Sequence, residues 1–179
     1  MAAKNEGVDA ADHTVRPGAL TGIRVIELAD EQAEYCGLTL AGLGADVVKV
    51  ESPGGSPTRR IGPFYKDQED PEGSLFFWQY NRGKRSVELD LNQEKDREHF
   101  RSLLASADIL LESTPKGELD AWGLGAKELT QQYPALIVAR VTPFGDDGPW
   151  SDYKASDLVH LALGGVMMNC GYDPAPGGT

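Results

Sequence analysis

LTGIRVIELADEQAEYCGLTLAGLGADVVKVESP, residues 20–53, decides the fold. A short apolar run, 23–28, leads into a helix-like segment, and Gly44 precedes a second apolar run, 46–51. That order is a βαβ unit. Its β-branched strands are short and nearly continuously apolar, the pattern of parallel strands covered on both faces. Such units place ligands beyond the carboxyl ends of their strands, so the turn Ala29-Asp30-Glu31-Gln32-Ala33 is the first candidate site. Gly37, Gly42 and Gly44 do not form a dinucleotide fingerprint, which needs its glycines in the turn after the strand, where backbone amides meet pyrophosphate. Gly44 instead reads as a left-handed helix stop.

Outward from this unit, strands and helices keep alternating. Residues 52–73, rich in Pro, Gly and charge, read as a long loop carrying Arg59 and Arg60. An aromatic helix at 74–81 is followed by the basic island Asn81-Arg-Gly-Lys-Arg85 and a strand at 86–91. Asn92 is placed to cap a helix from Gln93 to about Ser106, with Phe100, Leu103 and Leu104 on one face. Further strands are expected at 107–112 and 135–142, with short helices at 117–125 and 126–132 between them. A last helix, from about Ser156 to Leu163, ends at Gly164-Gly165, and the apolar run 166–170 reads as the start of another buried element. The whole predicts a Rossmann-like, doubly wound α/β fold with a mostly parallel sheet, incomplete at its carboxyl end. The expected division is a leader at 1–19, one domain at 20–172 and a connection cut short at 173–179.

Composition narrows the function. The 179 residues suffice for one domain with a proper core. Seventeen Lys+Arg against 28 Asp+Glu give a net charge of −11, which repels a polyanion and argues against bulk nucleic-acid binding. A local basic pocket for one phosphate ligand stays open. No apolar run approaches the ~20 residues of a membrane span, and the polar first 19 residues lack the apolar core of a signal peptide. Cys36 and Cys170 make no disulfide framework, so a cytoplasmic protein with reduced thiols is expected, Cys36 serving as a packing residue.

Six segments in order, LTGIRVIEL, AGLGADVVKVESPGG, NRGKRSVELDL, ADILLESTPKGELDAWGLG, TPFGDDGPW and SDLVHLALGG, resemble the amino-terminal domain of the class III CoA-transferases. That family includes formyl-CoA and carnitine CoA-transferases and α-methylacyl-CoA racemases. The resemblance implies a CoA-binding domain within an interlaced homodimer or a hetero-oligomer with a homologous subunit. It also implies transfer of CoA from an acyl-CoA to a carboxylic acid, without a metal. In that chemistry an aspartate attacks the thioester, giving an aspartyl-acyl anhydride and then an aspartyl-CoA thioester in a pocket that excludes water.

Carried over residue by residue, the resemblance puts Gln32 and Ala33 in the CoA-contacting turn. Leu89, Asp90, Leu91 and Asn92 follow the family's strand-end contact, Ser113 and Thr114 stand in place of an Asn-Phe pair, and Lys154 falls on a CoA-contacting lysine. Asp157 falls on an acidic residue near the reacting groups, a supporting role; its bland reading is a carboxylate at a helix start. Two family arginines are Ser52 and Ala121 here, and Arg59, Arg60, Arg82 and Lys84 are candidates to replace them. The acyl-carrying aspartate would lie beyond Thr179; Asp173, in a turn before that position, does not take the role. The racemase base is Ser156 here. His160, on an otherwise apolar helix, reads as a core histidine. The island Arg82, Lys84, Arg85 reads equally as a solvated turn, a phosphate site or a structural contact. Phe76, Phe77, Trp78 and Tyr80 read as core or interface. A non-catalytic subunit or relic that associates with an active homologue is the alternative.

Overall fold

Parallel pairing of short β-branched runs sets the architecture. The computed structural model describes residues 17–170, so Asp173 and the leader up to residue 16 lie outside the described residues. The elements in order are β1 (Arg24–Leu28), α1 (Glu34–Gly42), β2 (Asp46–Glu51), α2 (Leu75–Asn81), β3 (Arg85–Glu88), α3 (Glu94–Leu104), β4 (Ile109–Glu112), α4 (Glu118–Ala121), α5 (Ala126–Gln132), β5 (Ile137–Arg140) and α6 (Asp157–Leu163). The five strands form one sheet in the order β3-β2-β1-β4-β5, and every pair is parallel. This is the doubly wound arrangement expected from the alternation of elements.

Alternate strand residues serve two faces. Ile26, Val48, Val50 and Leu110 meet Phe100 and Leu104 of α3, Leu119 of α4 and Leu129 of α5 in the larger core. On the other face Val25, Val47 and Leu111 pack with Ala33, Leu40 and Ala41 around α1. Gly44 follows the end of α1 at φ +100°, which frees the chain to turn into β2. Ser74 caps α2: it is fully buried, and its Oγ accepts from the Phe77 N–H at 3.1 Å while donating to the Ile61 carbonyl at 2.6 Å. The 52–73 segment is ordered by two 3₁₀ turns, Pro57–Arg60 and Tyr65–Asp67.

Three local expectations are corrected. Gln93, not Asn92, occupies the N-cap of α3, and the Asn92 amide instead donates to Asp90 Oδ1 at 3.0 Å. A side chain engaged in its own turn is not free to cap. Val166–Asn169 is an exposed 3₁₀ turn rather than a buried element, with Met168 89% exposed. Its apolar character finds no cover among the described residues. Cys36 is exposed on the outer side of α1 rather than packed, opposite the buried Glu34 and Leu38.

Candidate functional site

The strand order reverses at β1, which sends one connection toward β2 and receives β4 on its other edge. A crevice therefore opens at the carboxyl ends of these strands. A cavity of about 250 Å3 lies there, lined by Asp30 after β1, Glu51 and Ser52 at the end of β2, and Ser113 and Thr114 after β4. A second, of about 240 Å3, shares Asp30, Ser113 and Thr114 and runs to Lys116 and to Thr142 after β5. The third, of about 380 Å3, shares Gln32 and Pro143 with the second and reaches Asp157 and His160 of α6. The three make one cleft along the carboxyl edge of the sheet.

Its walls are tied to each other by hydroxyl and carboxylate bonds. Ser113 Oγ donates to Asp30 Oδ1 at 2.7 Å and accepts from the Asp30 N–H at 3.0 Å. Asp30 Oδ1 also accepts the Gln32 N–H. Glu112 Oε2 accepts from both the N–H and the hydroxyl of Thr114, and its other oxygen pairs with Arg140. At the β2 end, Glu51 accepts from Arg59, Ser86 and the Ser56 N–H. Burial pushes this carboxyl up, but those hydrogen bonds and the Arg59 charge outweigh burial and hold its pKa at about 2.

Beneath the 29–33 turn lies a buried quartet of charges. Glu27 and Lys49 stand opposite each other in the β1–β2 register, on the face toward α1. Lys49 Nζ lies 3.2 Å from Glu27 Oε1 and 2.8 Å from Glu34 Oε1, while Lys84 Nζ lies 2.8 Å from Glu27 Oε2. All four side chains are 1% exposed or less. The lysines also donate to backbone carbonyls, Lys49 to Ala29 at 2.6 Å and Lys84 to Glu34 at 2.9 Å. They thereby hold both ends of the turn that lines the cleft. Burial raises the Glu27 pKa against the pull of Lys49 and Lys84, and burial lowers that of Lys84 against the pull of Glu27.

The profile of CoA-transferase family III matches residues 20–178. The chain belongs to that family. Among family III proteins it is 44% identical over 150 residues to the succinyl-CoA:(R)-benzylsuccinate CoA-transferase subunit BbsE of Thauera aromatica, covering 84% of this chain and 37% of that protein. It is 40% identical over 164 residues to the succinyl-CoA:mesaconate CoA-transferase of Haloarcula hispanica, covering 89% and 41% respectively. The crystal structure of a CAIB/BAIF family protein from Brucella suis superposes with a TM-score of 0.79 at 37% identity, over 90% of this chain and 43% of that one. The chain thus spans about two fifths of the length of the curated relatives it matches.

Four residues that the family III resemblance singles out, Gln32, Ser113, Thr114 and Asp157, line this one cleft. The other six lie elsewhere. The Ala33 side chain is 2% exposed and turned into the core behind the turn. Leu89 and Leu91 are buried in the larger core, and Asp90 and Asn92 bond to one another in the turn between β3 and α3. Lys154 is exposed on the loop before α6 and does not line the three cavities.

His160 is not a core histidine. No residue of α6 is buried, and the imidazole lies exposed at the end of the cleft, its centroid 5.5 Å from that of Phe144. The basic island divides. Lys84 belongs to the buried quartet, Arg85 forks onto Asp46, and Arg82 donates to Gln79. Arg59 is committed to Glu51 and Glu72 and lies 3.8 Å over the Phe77 ring, while Arg60 donates to the Gly54 carbonyl. The aromatics of α2 are half-buried or exposed, and Tyr80 packs edge-on to Tyr35 of α1.

Sequence reasoning missed the quartet and Lys116. The quartet had a readable signal: Glu27 and Lys49 are opposite charges in the middle of otherwise apolar strands, on the same face as Val25 and Val47. Lys116 had none, since a lysine in a Pro-Lys-Gly turn is ordinary. Among the described residues no cluster of metal ligands is present.

Proposed function

We propose that residues 20–172 form the CoA-binding domain of a CoA-transferase that moves CoA from an acyl-CoA to a carboxylic acid. The observation that carries the reading is the continuous cleft at the switch point, in a chain whose family is that of the CoA-transferases. The Ser113 and Thr114 hydroxyls supply hydrogen-bond groups to the adenosine and pantetheine of CoA, and Gln32 offers its carboxamide at the passage toward Asp157. The quartet keeps the 29–33 turn in place, so little reorganisation accompanies binding. On this reading the thioester end lies toward Asp157 and His160. Transfer proceeds through an aspartyl intermediate whose carboxylate lies beyond the 179 residues. Acyl-CoA and a carboxylic acid are the substrates, and an interlaced homodimer or a hetero-oligomer is the working assembly.

A thermal-shift comparison tests it. CoA and acyl-CoA are expected to raise the melting temperature while NAD does not; stabilisation by NAD alone overturns the reading. A second reading, a non-catalytic subunit that associates with an active homologue, is favoured by Ser52 and Ala121 at the two arginine positions. The Thauera relative that is itself named as a subunit points the same way. Co-expression with a homologous chain separates the two: label exchange between acyl-CoA and free acid that appears only in the mixed complex favours the subunit.

A further inference from the structure

The cleft is acidic. Asp30, Glu31, Glu51, Glu118, Asp146 and Asp157 all line it, and Lys116 is the one lysine or arginine among its described lining residues. A ligand bearing several phosphates meets a hostile field there unless a cation is supplied locally. Arg59 is engaged with Glu51 and Glu72, Arg140 with Glu112 and Asp146, and Lys49 and Lys84 inside the quartet, while Lys154 is exposed on the loop before α6 and lines none of the three cavities. Ser52 and Ala121 remove the two arginines that the family resemblance leads one to expect.

Lys116 is differently placed. It follows β4 by four residues, and its Nζ reaches across the cleft to Ser151 Oγ at 3.2 Å and Asp152 Oδ1 at 2.9 Å. Lysine and aspartate side chains are 51% and 84% exposed, so the pair is a solvated surface bridge that contributes little to stability. Its ammonium is therefore available for exchange. The Ser151 hydroxyl, which accepts from the Lys116 ammonium, lines the same cavity and has its own O–H to offer a phosphate oxygen.

We propose that Lys116 is the phosphate-binding cation of this cleft, trading the Asp152 carboxylate for a phosphate oxygen of CoA. The assignment rests on the reading of the cleft as a CoA site, and the test separates the two. Isothermal titration measures the affinity of the 179-residue chain and its K116A, K116R and D152N variants for CoA and for pantetheine, which carries no phosphate. Lys116→Ala is expected to weaken CoA binding about tenfold or more, the range for loss of one charge-assisted hydrogen bond. It should leave pantetheine binding unchanged and flatten the salt dependence of CoA affinity. Lys116→Arg restores most of the loss, and Asp152→Asn tightens CoA binding by freeing the ammonium. Undiminished CoA affinity in Lys116→Ala, or an equal loss for CoA and pantetheine, overturns the lysine assignment while the CoA reading stands. A wild-type chain that binds pantetheine but not CoA overturns the lysine assignment too, and one that binds neither overturns both.

Discussion

Glu27 is the hub of the buried quartet, since two lysines face it where all three side chains are 1% exposed or less. Replacing it with glutamine leaves Lys49 with the carboxylate of Glu34 and Lys84 with no carboxylate partner. Breaking a buried pair by removing one partner costs about 3–5 kcal/mol, and Glu27→Gln is expected to lose that much in urea denaturation. Adding Lys84→Met should recover part of the loss, because it removes one orphaned charge; an unchanged urea midpoint for the single variant would mean that the pairs contribute nothing. Gly37 is the quartet's steric counterpart. A Cβ built there falls 1.6 Å from Glu27 Oε2, so α1 approaches β1 closely only because this residue has no side chain. Alanine is the better helix former by about 1 kcal/mol, yet Gly37→Ala is expected to destabilise by about 2 kcal/mol or more through overpacking. A melting temperature at or above that of the wild type would contradict this.

At the scale of elements, the strand ends matter most. Glu51, Glu88 and Glu112 close β2, β3 and β4; Glu51 and Glu112 each accept a backbone N–H of the loop that follows, from Ser56 and Thr114, and Glu88 accepts that of Gly54 in the loop after the neighbouring β2. The loops around the cleft are thus held from beneath by the sheet. Helix α2 depends on Ser74 in a similar way, since one buried hydroxyl caps the helix and anchors the preceding loop through the Ile61 carbonyl. Ser74→Ala should lower stability by about 1–2 kcal/mol, read as a shift in urea midpoint. It should also raise protease sensitivity in the 57–73 loop; sensitivity equal to the wild type would show that the loop is held by other contacts.

For the whole molecule, acid stability follows from Glu51. Its pKa is about 2 in the folded state against 4.5 when unperturbed, so its contribution is fully present above pH 4.5 and is lost as pH falls from there toward 2. That contribution is on the order of 3 kcal/mol. Melting curves from pH 6 to pH 3 should show a steeper decline for the wild type than for Glu51→Gln, and parallel declines would remove Glu51 as a cause. The surface around α6 is the other global feature. Leu158, Leu163, Val166, Met167 and Met168 are each 46% exposed or more, and Trp150 and Tyr153 lie exposed on the preceding loop. Exposed apolar patches of more than a few hundred Å2 commonly mediate association. The isolated 179-residue chain is therefore expected to self-associate at moderate concentration, and light scattering that gives a monomer would contradict it.

Much of the fold was legible in residues 20–53 because periodicity and strand length are local properties. The mostly parallel sheet, the left-handed Gly44 and the Ser74 helix start all follow from neighbouring residues. The candidate turn 29–33 was legible for the same reason, since the crevice of a doubly wound sheet sits after its first strand. What lay outside local reach was pairing across the chain. Lys84 reads as part of a basic surface island until the fold carries it, 57 residues along from Glu27, under the first turn. Asn92 looks like a cap until Asp90 claims its amide, and His160 looks like core until α6 is seen to stand clear of it. Whether a charge is buried depends on which segments cover it, and a sequence states that only through contacts among distant residues. The sequence by itself therefore determined the βαβ frame and the family, and the tertiary structure decided which of its charges hold the frame and which face the cleft.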